Sequence, residues 1–200
     1  MYTRLLTFKG ASDIDGGAAY LREEVLPILT SQPGYRGVTA SANRSANVFG
    51  VLSIWETEQD RATSDRALGN ARQGALEIVG GNLSVENLEV VAAGAVRPIT
   101  AECKLLITRL GMDPAKVDEI VTFFSSDVFP VFKAQPGFCG LHNMVDRAAG
   151  KAVVGSAWES QEAIDAYLTI QPERRRIAES RGVRFEEQET RDILLTAMKQ

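Results

Sequence analysis

The chain is poor in the residues that build metal and nucleophile sites, with one histidine and two cysteines among 200 residues. His142 stands alone, and the carboxylates are scattered without ligand spacing, so no metal centre is expected. Cys103 and Cys139 are too few for a disulfide framework and suit a reducing compartment, the cytoplasm. Long apolar runs are missing too. No stretch nears the roughly 18 residues that span a bilayer, and the opening MYTRLLTFKG does not read as a signal peptide. Basic charge is in deficit, with a formal net charge of −4. The one basic run, Arg174 to Arg176, lies among Glu173, Glu179, Glu186 and Glu187 and reads as a solvated helix face. Neither nucleic acid nor a membrane is therefore an expected partner. Glycine-rich phosphate loops and the G-x-S-x-G pattern are absent, and no cofactor is expected.

What is present is an ordinary core-forming composition, 44% hydrophobic and 24% charged, written twice. SQPGYRG (Ser31 to Gly37) returns as AQPGFCG (Ala134 to Gly140). A shift of 103 positions superposes Pro27 on Pro130, the two QPG triplets, Arg44 on Arg147, and Trp55-Glu56 on Trp158-Glu159 without a gap. Upstream, RLLTF (Arg4 to Phe8) matches KLLIT (Lys104 to Thr108), which implies about three extra residues in the second copy's first connection. The seam is GAVRPIT, Gly94 to Thr100, so the expected domains are residues 1–96 and 97–200.

Each copy reads as strand, helix, strand, strand, helix, strand. Leu21, Val25, Ile28 and Leu29 make the apolar stripe of the first helix, and Val117, Ile120, Val121, Phe124 and Val128 that of its counterpart. Proline ends the helix and glycine redirects the chain, so QPG predicts a helix stop and strand start. The second helical regions are expected to break near Gly69 and at Pro172. The third strand, VFGVLSIWE in copy one, is apolar on both faces, whereas helices can cover only one. The expected class is therefore α+β: two tandem ferredoxin-like (βαββαβ) units whose antiparallel sheets pack face to face within one chain.

The pattern P-x4-QPG-aromatic-x-G, with a later strand ending in W-E-[ST], resembles the antibiotic biosynthesis monooxygenase (ABM) family, as does WESQEAIDAYL at Trp158 to Leu168. The resemblance covers nearly the whole chain. It implies a dimeric α/β barrel, here an intramolecular pseudo-dimer that leaves room for further homo-oligomers. It also implies cofactor-independent oxidation of a small aromatic or quinol-type molecule, with Trp55 and Trp158 bordering a pocket. Two other readings stand beside it, a non-catalytic ligand-binding or stress-response barrel and a haem-binding protein. Family asparagines are replaced by Val51 and Val154, and the haem-ligand positions hold Asp65 and Leu168. Haem degradation through the family's ligand is thus not expected.

The remaining polar candidates gather in copy two. His142 is a candidate general base and Tyr167 a donor, with Asn143 a further contact to substrate. His142 and Asn143 are consecutive on a strand and so point to opposite faces. Copy one has Thr39 and Ala40 there, and Arg36 where copy two has Cys139.

Overall fold

In a computed structural model describing residues 1–199, both copies take the expected element order. Copy one runs β1 (Tyr2–Lys9), α1 (Ile14–Tyr20), a π turn (Leu21–Val25), α2 (Leu26–Ser31), β2 (Tyr35–Asn43), β3 (Val48–Trp55), α3 (Glu58–Val79) and β4 (Asn82–Ala95). Copy two runs β5 (Lys104–Gly111), a short 3-10 turn (Pro114–Lys116), α4 (Val117–Phe123), a π turn (Phe124–Val128), α5 (Phe129–Ala134), β6 (Phe138–Asp146), β7 (Lys151–Trp158), α6 (Gln161–Ser180) and β8 (Arg184–Met198). The eight strands close into one antiparallel barrel in the order β1-β3-β2-β8-β5-β7-β6-β4. Two compact units emerge, Met1–Glu89 with the end of β8 from Asp192 onward, and Val90–Arg191. The long strands β4 and β8 thus each contribute residues to both.

The first helix of each copy is shaped by its proline. Pro27 and Pro130 carry no amide hydrogen, and their rings crowd the carbonyl four residues back. The ladder widens just before them: the Leu26 amide bonds the Leu21 carbonyl, and the Phe129 amide bonds that of Phe124. These are i to i−5 bonds, the signature of a π turn. The extra residue rotates the last helical turn. Ile28, expected on the apolar stripe, is 36% exposed, while Leu29 stays in the core.

The repeated QPG motif resolves into separate physical parts. Gln32 and Gln135 are extended and end their helices. Gly34 and Gly137 have φ of 67° and 76°, the left-handed region glycine favours. Their carbonyls accept from the Glu56 and Glu159 amides at 2.7 and 2.8 Å, tying the motif to the Trp-Glu pair. The aromatics Tyr35 and Phe138 meet Trp55 and Trp158 edge-on, with ring centroids 6.0 and 5.4 Å apart. Each copy then has a β-bulge, at Tyr35/Gly37 and Phe138/Gly140. At the last glycine the final strand passes close by: a Cβ on Gly140 would lie 2.9 Å from the Gly94 carbonyl oxygen. The copies also pair the same glutamate differently. Arg36 bonds Glu56, whereas Arg97 bonds Glu159 where Cys139 has replaced the arginine.

The second helices do not break. Gly69 lies inside α3 and Pro172 inside α6. Glycine in a helix interior costs only about 1 kcal/mol relative to alanine, too little to end a helix started by a good cap. Thr57 accepts from the Asp60 amide at 3.0 Å, and Ser160 from that of Ala163 at 3.3 Å. The strand register differs from the sequence match as well. Tyr2 pairs with Trp55 and Lys104 with Trp158, so Arg4 is equivalent to Leu106, not to Lys104. The second copy's first connection is consequently longer by one residue, not three. The doubly apolar β3 is buried along its length, with only Leu52 half-buried.

Gly140→Val should destabilise the protein by about 2 kcal/mol, because backbone and not a flexible side chain stands in the way. Gly69→Ala, with nothing within 4 Å of the new methyl, should stabilise it by about 0.5–1 kcal/mol. Urea midpoints of the two variants test both signs.

Candidate functional site

Each unit has a pocket between its helices and the helix-facing side of its sheet, and the two occupy equivalent places. Leu6 and Phe8 of β1 correspond to Thr108 and Leu110 of β5, and Val51 of β3 to Val154 of β7. The π turns contribute Leu21 and Val25 in one, Phe124 and Val128 in the other. The α3 residues Leu68, Arg72 and Ala75 correspond to Gln171, Arg175 and Ala178 of α6. The enclosed room in each is small, about 50 Å³ in unit one and 80 Å³ in unit two, so a ring-sized ligand is accommodated only with the open mouth and movement of the wall side chains.

The unit-two pocket is aromatic, with Phe123, Phe124, Phe132, Tyr167 and Phe185 in its walls. Tyr167 packs at a tilt against Phe132 and Trp158, with ring centroids 4.8 and 4.9 Å apart. Its phenol is pushed up to about 12, chiefly by burial, so it stays protonated and acts as a hydrogen-bond donor or acceptor. Gln171 bonds it and the exposed Arg174 acts on it electrostatically. Thr108 accepts from Gln188 at 2.9 Å, which leaves its own hydroxyl hydrogen to donate. One strand further on, Asn143 faces the same side, in the cross-strand row Thr108–Val154–Asn143. Asn143 is 4% exposed, and its Oδ1 has no protein partner. A buried acceptor without a donor marks a place for a ligand or water.

The unit-one pocket is apolar except at one end. Arg4 of β1 is 3% exposed. It donates to the Arg61 carbonyl at 2.7 Å and to Ser64 Oγ at 3.1 Å, and pairs with Asp65 at 2.8 Å. Arg72 binds the other oxygen of Asp65 at 2.6 Å. Burial pushes the Arg4 guanidinium down to about 10; Asp65 opposes this, while Arg72 and Arg61 add to it. In unit two the corresponding positions are Leu106, Ile164, Tyr167 and Leu168. Ion network and aromatic stack thus stand in the same place.

The structure separates the residues singled out from sequence. Tyr167 lines a pocket and Asn143 lies beside its floor. Trp55 and Trp158 are each 0% exposed, and each indole N–H donates at 3.0 Å to a serine two residues earlier, Ser53 or Ser156. Trp158 therefore backs the pocket through Tyr167, with its donor already engaged. His142 does not meet Tyr167. After the bulge, Leu141 and Val145 share the core face with Asn143, which puts His142 on the face turned from the helices, opposite Gly155. Sequence reading passes over Arg4, Thr108 and Gln171; it reads Arg174 as part of a solvated helix face, and the residue is indeed exposed while bordering the pocket. The signal for Arg4 is its alternation with Leu6 and Phe8, which puts a cation on a core face. Cys103 and Cys139 are buried with their sulfurs 3.8 Å apart, and burial pushes the Cys139 thiol up to about 11. Among the described residues, no three His, Cys, Asp or Glu side chains cluster to hold a metal, and no helix is long and apolar enough to cross a membrane.

The comparisons with known proteins agree with this architecture: the chain has the ABM-like dimeric α/β-barrel fold, built from two units of one polypeptide. A structure described as an anthrone oxidase-like protein superposes with a TM-score of 0.72 at 16% identity, covering 98% of this chain and 92% of that one. A candidate monooxygenase from Fusobacterium nucleatum superposes with a TM-score of 0.75 at 12% identity, covering 99% and 94%. An uncharacterized protein of Mycobacterium tuberculosis strain H37Rv is 28% identical over 166 residues, 82% of this chain and 74% of its own. No family model matches the sequence.

Burial lowers the pKa of His142, so the folded protein binds this proton less readily than the unfolded chain. The stability contributed by a neutral His142 is present above the unfolded value, about 6.5, and is lost as pH falls through it towards the lower folded value. His142→Gln should flatten that part of the acid limb, measured as the urea midpoint between about pH 7.5 and 5.

Proposed function

We propose that the unit-two pocket binds a small, planar aromatic molecule and promotes its oxidation by molecular oxygen without an added cofactor. The observation that carries this reading is the aromatic cavity whose lining also holds the polar side chains Thr108, Tyr167, Gln171, Arg174 and Arg175, with the unpartnered Asn143 Oδ1 beside its floor. Flat rings suit the phenylalanine walls, and the donors suit an oxygen atom that gains negative charge as the substrate ionises. The fold shared with an anthrone oxidase-like protein supports the same substrate class.

A substrate of this kind has a doubly benzylic ring methylene made acidic by conjugation, through the flanking rings, with a carbonyl across the central ring. Loss of its proton to water at the open mouth gives an enolate, whose oxygen Tyr167 and Thr108 bond and whose charge Arg174 offsets. The enolate passes one electron to oxygen. The resulting radical pair combines into a hydroperoxide at the ring carbon, and loss of the remaining C–H proton with cleavage of the O–O bond leaves a carbonyl. In total, one CH2 and one O2 become one C=O and one H2O, with all four electrons supplied by the substrate. The pocket lining holds no Asp, Glu or His. The rate is therefore set by the substrate's own acidity and not by a protein base near neutral pH. That same feature favours a second reading, in which the pocket binds its ligand without turnover.

Oxygen uptake with an anthrone as substrate, followed with an electrode, tests the proposal. The expected result is one O2 consumed per quinone formed, persisting in EDTA and unchanged by His142→Asn. Tyr167→Phe and Arg174→Gln should each lower kcat/KM roughly tenfold or more. Tight binding of the anthrone with uptake no faster than in buffer would instead establish the binding-only reading.

A further inference from the structure

We infer that the unit-one pocket is a separate binding site for a small apolar carboxylate, whose ring or chain fills the Leu6–Leu68 cavity and whose carboxylate meets Arg4 and Arg72. This goes beyond the oxidation assigned to unit two and does not depend on it.

The charge count at the polar end points to an anion. Arg4 and Arg72 both line the cavity, and both bind the two oxygens of a single carboxylate, Asp65. Arg61, behind them, has Glu58 at 3.5 Å. The cluster thus carries three guanidinium groups against two carboxylates and is left with one positive charge. Asp65 is half exposed, at 48% of its side chain, whereas Arg4 is almost wholly buried. A buried cation that shares its counter-ion with a second cation gains from another anion on the same side, as the depressed Arg4 pKa also indicates.

The rest of the lining excludes a strongly polar ligand. Leu6, Phe8, Leu21, Leu29, Phe49 and Val51 give apolar walls; besides the arginines only Tyr20 and Ser53 carry polar side chains there, and the Ser53 hydroxyl is already bonded to the Arg4 carbonyl and the Trp55 indole. Fork-shaped guanidinium groups match the planar carboxylate in geometry as well as charge. A hydrophobic body with one carboxylate is the chemistry that satisfies both ends. Unit two cannot do this in the same way, because Leu106 and Tyr167 replace Arg4 and Ser64 and its arginines sit among exposed residues.

Isothermal titration with 1-naphthoate, against the uncharged 1-naphthalenemethanol, tests the inference on the intact chain. The expected result is a naphthoate site weakened by Arg72→Gln and at least tenfold tighter than for the alcohol; uptake into the aromatic pocket of unit two is told apart by its insensitivity to that change. Arg72→Gln, at a part-exposed position whose loss leaves Arg4 paired with Asp65, should weaken naphthoate at least tenfold. The matching change in the other pocket, Arg175→Gln, should leave it within twofold. Arg4→Met should abolish binding, with its circular dichroism spectrum checked first, and Arg72→Gln carries the test if that variant does not fold. The inference is overturned if naphthoate does not bind, if the alcohol binds equally well, or if binding responds to Arg175→Gln and not to Arg72→Gln. None of these outcomes bears on oxygen uptake in unit two.

Discussion

A proline without an amide hydrogen, placed inside the first helix of each copy, is the constraint from which both pockets develop. The helix cannot hold its ordinary ladder across Pro27 or Pro130, and the bonds widen to i−5 for one turn. That turn faces the sheet, so Leu21 and Val25, or Phe124 and Val128, become pocket wall instead of evenly spaced core. The π turn also shifts the phase of the short helix after it, which brings Leu29 and Phe132 inward and turns Ile28 out. One missing hydrogen bond donor thus sets the helix register, the place of the cavity and part of its lining.

Around that shared frame, chemistry is decided by a few side chains. Where unit one has Arg4, Ser64 and Asp65, unit two has Leu106, Tyr167 and Leu168. The first set cannot be dismantled one residue at a time, because loss of Asp65 would leave the buried Arg4 guanidinium without its counter-charge, at a cost of about 1–3 kcal/mol with Asp65 itself half exposed. The second set is held by ring packing among Phe132, Tyr167 and Trp158 and tolerates neutral, planar neighbours. Each arrangement is internally consistent, and a hybrid would bury either a lone cation or an unfilled hole.

The fold is legible in the sequence because its strongest signals are backbone requirements. QPG-aromatic-x-G demands a helix end, a positive φ and a close approach by the final strand, and no other composition meets all three so compactly. The doubly apolar third strand likewise reveals that both its faces are covered. The site is less legible. The likeness of RLLTF to KLLIT pairs Arg4 with Lys104, although two residues' difference in register carries a core-facing arginine onto a leucine. Trp55 and Trp158 read as pocket residues because indoles often are, but their N–H groups are engaged by Ser53 and Ser156 within the same strand. His142 and Tyr167 belong together by chemistry alone. The bulge after Phe138 shifts the pleat of β6 by one residue, so that Asn143 and not His142 takes the helix-facing side.

Covalent duplication is what allows the two pockets to differ. In a dimer of identical chains, symmetry copies every substitution into both sites. An arginine buried for its carboxylate partner would then appear twice, and so would a tyrosine suited to an aromatic ring. Joining the copies in one polypeptide removes that restriction while β4 and β8 still run through both compact units. The fold can then keep its repeated backbone devices, the prolines, the QPG turns and the buried tryptophans, unchanged in both halves. Among the many positions that differ, several line a cavity: Pro27 and Pro130 coincide, as do Trp55 and Trp158, whereas Ala71 is matched by Arg174 and Leu68 by Gln171 across the repeat.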